Sequence, residues 1–542
     1  MKRKNLFLSL ICSLILTIAL VAVSIVTIVP KKDKDKGGQT SSNVSDNVTD
    51  KTPDVTVNED KDGSAEKPYV IYSVETFETF IVDKYVDENG EYIDYTQVDE
   101  EGNLLYPELA AGLHYVLDSD IDFADAEFKT IFNEGVPFNG HIDGKGFALK
   151  NININVTKEA LVSDYTYKTG TELVANIGVF GEIENAEIKN ITLNGVNIAM
   201  DEDLYSYVWS AEFPTEEGTM KSISVGSLAG VAKNSTIEAK VTASIDGFAY
   251  SVYVNNKADG LFAVGGLVAA AVDSTISNSE IDVDIVAVQG AKYYVGGVAG
   301  CVNGTTINKV KVDAQVSTNY EKALYIAGVA GYAIGANVEE AEVALKVTEA
   351  GTERFVTKGV TSIDSTKFVS IAGAIHTINI NDNDTASTVK NVTIVSDVDI
   401  DGVFAGAVMN VIGGKETIVV ELSNIIADSN VNVLKAYGFA GSLSCTKVVL
   451  DAENVKTELV NEEQVTFNVR LTGNVKLSIY TNKAEGVRMF PASMFVLSSD
   501  NCEGVTGGAR KSVNIIVSYE IFEKVISTET IILRNWGSVV KV

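Results

Sequence analysis

The chain has 542 residues, 46% of them hydrophobic, with 43 Lys and Arg against 73 Asp and Glu and a net charge of −30. That acidity excludes nucleic acid and anionic membrane surfaces as partners, both of which require a basic footprint. Four cysteines exclude a disulfide scaffold in a chain this long, three histidines leave little room for histidine-based catalysis, and 7 prolines with 44 glycines amid abundant Val, Ile and Thr favour strands and tight turns.

In chain order, Met1-Lys2-Arg3-Lys4 precedes an uncharged apolar run from Leu6 to Val29. The run is long enough to span a bilayer and longer than an ordinary signal-peptide core. Residues 1–30 are therefore predicted to be a signal anchor forming an N-terminal transmembrane helix, with cleavage after Ser24 as the alternative. Basic residues flank the run on both sides (Lys31, Lys32, Lys34 and Lys36 after it), so the positive-inside count is nearly balanced. Residues 31–66 are rich in Gly, Ser, Thr, Asn and Asp, the composition of a hydrated polar linker.

Residues 67–135 are predicted to form an N-terminal cap. Val74 to Tyr85, with Phe77, Phe80 and Ile81, suits one short amphipathic helix, and the turn signals at Asp87-Glu88-Asn89-Gly90 and Asp99-Glu100-Glu101-Gly102-Asn103 suit a hairpin-like insertion. Asp118, Asp120 and Asp122 alternate along an expected strand. They lack the central glycine and later glutamate of a calcium-binding loop, which favours a solvent-facing or edge-protecting acidic row.

From about residue 136 to 450 a Gly-rich block recurs. Gly265-Gly266-Leu267-Val268-Ala269 becomes Gly296-Gly297-Val298-Ala299-Gly300 and then Ala327-Gly328-Val329-Ala330-Gly331, a period of 31 residues. The apolar series Ile281, Val283, Ile285 matches Val312, Ala314, Val316 and Val343, Leu345, Val347, with mostly polar residues between. Period-two alternation predicts strands, and the fixed period predicts one unit stacked on copies of itself. Weaker blocks begin at 177, 226, 372, 405 and 437, and the longer intervals imply loops inserted at 201–219, 250–259 and 352–366. The glycines would either turn the backbone at corners or let stacked chains approach closely. Cys301 and Cys445 fall in or near such blocks as small core-facing residues. Residues 451–542 keep β-rich stretches (Val465 to Leu471, Val475 to Tyr480, Val513 to Tyr519) but lose the period, which suggests a C-terminal β-rich cap or small domain.

Gly63-Ser64-Ala65-Glu66-Lys67-Pro68-Tyr69-Val70-Ile71, Asp120-Ile121-Asp122 and Phe138-Asn139-Gly140-His141-Ile142-Asp143-Gly144-Lys145-Gly146, followed by the Gly-Gly-Leu-Val blocks, resemble the lead-in and repeats of bacterial surface proteins with GLUG-type repeats. The resemblance covers about residues 63 to 450. It implies an all-β chain, a right-handed parallel β-helix displayed outside a bacterial cell membrane (or secreted, if the signal is cleaved), often in adhesin-like proteins.

No His-Glu-x-x-His, Gly-x-Ser-x-Gly or Gly-Lys-Ser/Thr pattern is present, and no catalytic residue, metal or cofactor is predicted. Two stretches could contact a ligand. Tyr205, Tyr207 and Trp209 sit in the first inserted loop and could stack on a sugar or a protein. Asp382 and Asp384, in Asn379-Ile380-Asn381-Asp382-Asn383-Asp384, could serve a polysaccharide lyase or glycosidase, although an Asx-rich turn between strands is the simpler and favoured explanation. The expected function is non-catalytic binding of a glycan or protein through inter-repeat loops, with a surface polysaccharide-degrading enzyme as the competing expectation.

Overall fold

The computed structural model describes residues 58–124, 128–133, 135–169, 172–200, 219–248, 261–288, 293–318 and 324–349, and beyond them the strands between Val369 and Lys541 without the segments that join them. All belong to one compact unit, Thr56–Val542. The span expected at Leu6 to Val29 lies outside the described residues. Among those described, no helix is long and apolar enough to cross a membrane.

After β1 (Tyr69–Ile71), Ser73 opens helix α1 (Val74–Phe77) with a reciprocal cap: the Thr76 N–H donates to Ser73 Oγ at 3.2 Å and the Ser73 N–H to Thr76 Oγ1 at 2.9 Å. The single helix expected to Tyr85 is instead wound three ways, with a π turn over Glu78–Val82 and a 3₁₀ turn over Asp83–Tyr85. The cause is spacing. Phe77, Ile81 and Tyr85 are all buried and four residues apart, and an α-helix rotates about 40° over four residues, so a wider turn keeps all three on the core. Two antiparallel hairpins follow, bridged at Val86 with Tyr92 and at Val98 with Leu104. Their turns are built alike. Asp87 Oδ1 accepts from the N–H groups of Asn89 and Glu91, and Asp99 Oδ1 from those of Glu101 and Asn103.

Helix α2 (Pro107–Ala111) leads into β2 (His114–Leu117) and β3 (Ile121–Asp122). The three aspartates do not form one strand row, because the chain bends between Leu117 and Ile121. Asp120 pairs with Lys150 at 2.5 Å and accepts from the Ala148 N–H, while Asp122 accepts from Asn151 Nδ2 at 2.8 Å. Those bonds favour the charged form and hold both carboxyls below their usual range. Then come β4 (His141–Asp143), β5 (Ala148–Lys150), β6 (Asn153–Val156), helix α3 (Lys158–Ser163) and β7 (Thr166–Thr169). An aromatic cluster, with Tyr85 edge-on to Phe132 and Phe138 stacked on Phe180, fills the interior here.

From β8 onward the strands come in threes. They are β8 (Glu172–Ile177), β9 (Phe180–Glu184) and β10 (Glu187–Met200); β11 (Thr219–Gly226), β12 (Ala229–Lys233) and β13 (Thr236–Phe248); β14 (Leu261–Gly265), β15 (Val268–Val272) and β16 (Thr275–Val288). The series continues with β17 (Tyr293–Gly296), β18 (Ala299–Asn303) and β19 (Thr306–Thr318), then β20 (Leu324–Ala327), β21 (Ala330–Ile334) and β22 (Asn337–Glu349). Each strand pairs in parallel with the strand three later, giving three mostly parallel sheets. The register is the sequence period itself: Ile276, Ile307 and Val338 are partners, as are Ile281, Val312 and Val343. Partners in these rows are buried, and the residues between them (Asp282, Lys311, Glu342) are exposed. The short strands β4, β5 and β6 together take the place of one long strand, setting Ile142, Leu149 and Ile154 beside Ile188, Leu193 and Ile198. The long-strand sheet continues in parallel through Ser387–Asp399, Ile418–Asn432 and Val465–Thr481, while Asn454–Leu459 and Lys524–Leu533 join antiparallel.

Corners are made by a stacked left-handed residue. Asn185, Asn234, Asp273, Gly304 and Gly335 have φ of 56°, 46°, 48°, 59° and 55° at the same point of successive repeats, using residue types that tolerate this region. A second such row, including Asn190, Asn278 and Lys309, bends the long strands. Of the two roles predicted for the block glycines, close approach is the one found: none of Gly265, Gly266, Gly296 and Gly297 has positive φ, and a Cβ on Gly296 would lie 1.8 Å from the Ala299 carbonyl oxygen. Cys301 is buried against Ala263, Ala269 and Ala270, and burial pushes its thiol well above the usual range.

Candidate functional site

In β10 two residues, Lys189 and Asn190, lie between buried Ile188 and Ile191. The same holds in β16, where Ser277 and Asn278 separate Ile276 from Ser279, and in β19 and β22. In β13 only Glu238 separates Ile237 from Ala239, and the register shifts there against both neighbours. Glu238 therefore does not make the left-handed outward bend that Asn190 and Asn278 make on either side. One missing residue leaves a dent between two bulges.

That dent is an open groove of about 610 Å³ with Ile191 and Ala239 in its floor. Its walls carry Asp143, Lys145, Asn190, Thr192, Glu238, Lys240 and Asn278. Asp143 Oδ1 accepts from Asn190 Nδ2 and from the Lys145 N–H, both at 3.0 Å. Glu238 Oε2 accepts from Asn278 Nδ2 at 3.2 Å. Lys240 Nζ lies 3.3 Å from Glu280 Oε1, an exposed pair worth about 0–1 kcal/mol. Among the described residues, Asp143 Oδ2, Glu238 Oε1 and the two amide oxygens accept no hydrogen bond, and Lys145 makes no ion pair. The groove thus offers several acceptors with free lone pairs beside two ammonium donors.

A second cluster sits where His114 and His141 are strand partners. Their rings stack with centroids 4.3 Å apart at 13°. Glu187 Oε2 is 3.7 Å from His141 Nδ1, too far for a hydrogen bond, so the buried Nδ1 has no hydrogen-bond partner. Burial, and then the charge of a protonated His141, lower the pKa of His114. Stacked rings do not converge on a common point. Among the described residues, no group of three His, Cys, Asp or Glu side chains is placed to hold a metal ion.

The residues singled out in sequence, Tyr205, Tyr207, Trp209, Asp382 and Asp384, all lie outside the described residues. The groove was missed, although a signal for it exists: four positions separate Ile237 from Val241, where five separate Ile276 from Ile281 and Ile307 from Val312. No family model matches the chain, and neither does any curated protein.

Proposed function

We propose that this chain is a non-catalytic, adhesin-like or structural protein of a bacterial cell surface: a right-handed parallel β-helix with GLUG-type repeats, tethered to the membrane through Leu6 to Val29 and contacting glycans or proteins with its inserted loops. The observation that carries the reading is the parallel register. Strands 31 residues apart stack row on row, so the repeat has a closed core, and its variation is left to the segments between repeats. The insertions expected at 201–219, 250–259 and 352–366 fall, in chain order, between a long strand ending at Met200, Phe248 or Glu349 and the first strand of the next repeat. Loops presented by a uniform scaffold are where binding variation accumulates.

A second reading, a polysaccharide lyase or glycosidase, is favoured by one specific observation: the groove gathers the carboxylates of Asp143 and Glu238 with Lys145 and Lys240. The two separate in one experiment, in which the purified full chain is applied to an array of glycans and host-matrix proteins and every bound glycan is checked for shortening. Binding without shortening is expected, weakened when Tyr205, Tyr207 and Trp209 are changed to Ala. Shortened products would replace this reading with the enzyme, and absence of all binding would remove the adhesin.

A further inference from the structure

We infer that the groove at Glu238 is a binding subsite for a neutral oligosaccharide. The inference rests on the adhesin-like reading and places one contact on the repeat body rather than on the loops. Three observations carry it.

First, the groove exists because β13 lacks one residue at a position where both neighbouring strands bulge outward. A solenoid gains packing from uniform repeats, so the departure opens space that the core does not need. Second, the surrounding backbone is spent. β10, β13 and β16 are each paired on both sides, which removes the free strand edge that a peptide would need for main-chain pairing. Ile191 and Ala239 are 1% and 2% exposed and offer no pocket for an apolar anchor. What remains is polar side-chain chemistry: carboxylate and amide oxygens held by the Asn190 and Asn278 bonds, the Thr192 hydroxyl and two ammonium groups. Closely spaced acceptors beside donors match the vicinal hydroxyls of a sugar, each of which donates one bond and accepts others. Third, the charge is balanced. Asp143 and Glu238 offset Lys145 and Lys240, and Lys240 already leans on Glu280 in a chain of net charge −30, so an anionic ligand gains nothing here.

The test uses the purified full chain with neutral tetrasaccharides built from glucose, galactose, mannose or N-acetylglucosamine, with sialylated and sulfated glycans alongside, and reads binding by titration calorimetry and by saturation transfer in NMR. Two variants probe the groove. Glu238→Ala removes a charged acceptor, for which a loss of about tenfold or more in affinity is expected. Insertion of one asparagine between Glu238 and Ala239 restores the spacing of the neighbouring strands and fills the dent; it should abolish binding while the far-UV spectrum and melting stay unchanged. Binding of a neutral glycan that is lost in both variants supports the subsite. Unchanged affinity in both overturns it but leaves the adhesin-like reading standing. Preference for the anionic glycans, or no binding of any probe by the wild type, also overturns it.

Discussion

Replacing Ser274 by alanine should destabilise the chain by roughly 1–3 kcal/mol, the cost of stranding a buried polar group. Ser235, Ser274 and Thr305 follow the left-handed corner residue in successive repeats and are 2%, 3% and 0% exposed. Each hydroxyl serves the repeat before it. Ser274 Oγ accepts from the Ser235 N–H at 3.2 Å and donates to the Val272 carbonyl at 2.8 Å, while Thr305 Oγ1 accepts from the Ser274 N–H. Loss of the Ser274 hydroxyl leaves the Val272 carbonyl satisfied, because it still accepts from the Asn234 N–H at 2.9 Å. The Ser235 N–H loses its acceptor inside the corner, and that single orphan accounts for most of the cost. Equilibrium urea unfolding of the full chain, followed by far-UV circular dichroism, gives the stability, and amide hydrogen exchange at Ser235 localises it. Ser274→Thr keeps a hydroxyl, as Thr305 does one repeat later, and should stay close to wild type. Ser244→Ala, on an exposed row, should stay within about 0.5 kcal/mol. Stability of Ser274→Ala equal to that of Ser244→Ala, with unchanged exchange at Ser235, would refute the idea that the corner depends on a hydroxyl ladder.

Gly296→Ala places a Cβ 1.8 Å from the Ala299 carbonyl oxygen and 2.7 Å from the Val329 carbonyl oxygen, both backbone atoms of neighbouring segments. Relief requires moving paired strands, so the loss should reach or exceed the roughly 1–3 kcal/mol typical of overpacking; soluble yield and melting temperature report it, and a neutral outcome would contradict close approach as the reason for the block glycines. The His114 imidazole takes up a proton less readily in the folded chain than at its ordinary value of 6.5, through burial and then the adjacent His141. The unfolded chain therefore binds more protons in that window: stability is complete above about pH 6.5 and falls as pH drops through the lowered folded value. Melting measured from pH 7.5 to 5 should show this slope in wild type and a shallower one in His114→Gln, and equal slopes would show that the stacked pair does not titrate against the fold.

Periodicity is the property a single sequence displays best. Ile276, Ile307 and Val338 can be set side by side from the sequence, because a parallel stack turns a sequence offset directly into a strand register. Features outside the period were harder to see. Alternation of Asp118, Asp120 and Asp122 suggests one strand face only if the strand is straight, and the bend after Leu117 sends Asp120 to Lys150 and Asp122 to Asn151, partners distant in sequence. The glycine blocks left two roles open, since nothing local distinguishes a glycine needed for positive φ from one needed to admit a neighbouring carbonyl; the stacked chain decides it, and the left-handed corners belong to Asn185, Asn234, Asp273, Gly304 and Gly335, all outside the blocks. Composition around Glu238 is unremarkable, and its carboxylate is brought beside Asn278 by pairing across 40 positions. What marks it in sequence is a count, four positions from Ile237 to Val241 against five in the repeats that follow. In a stacked fold a missing residue cannot be absorbed in a loop when it falls inside a paired strand. Pairing with both neighbours shifts by one position there and then resumes, and the deficit appears as empty space on the outer surface.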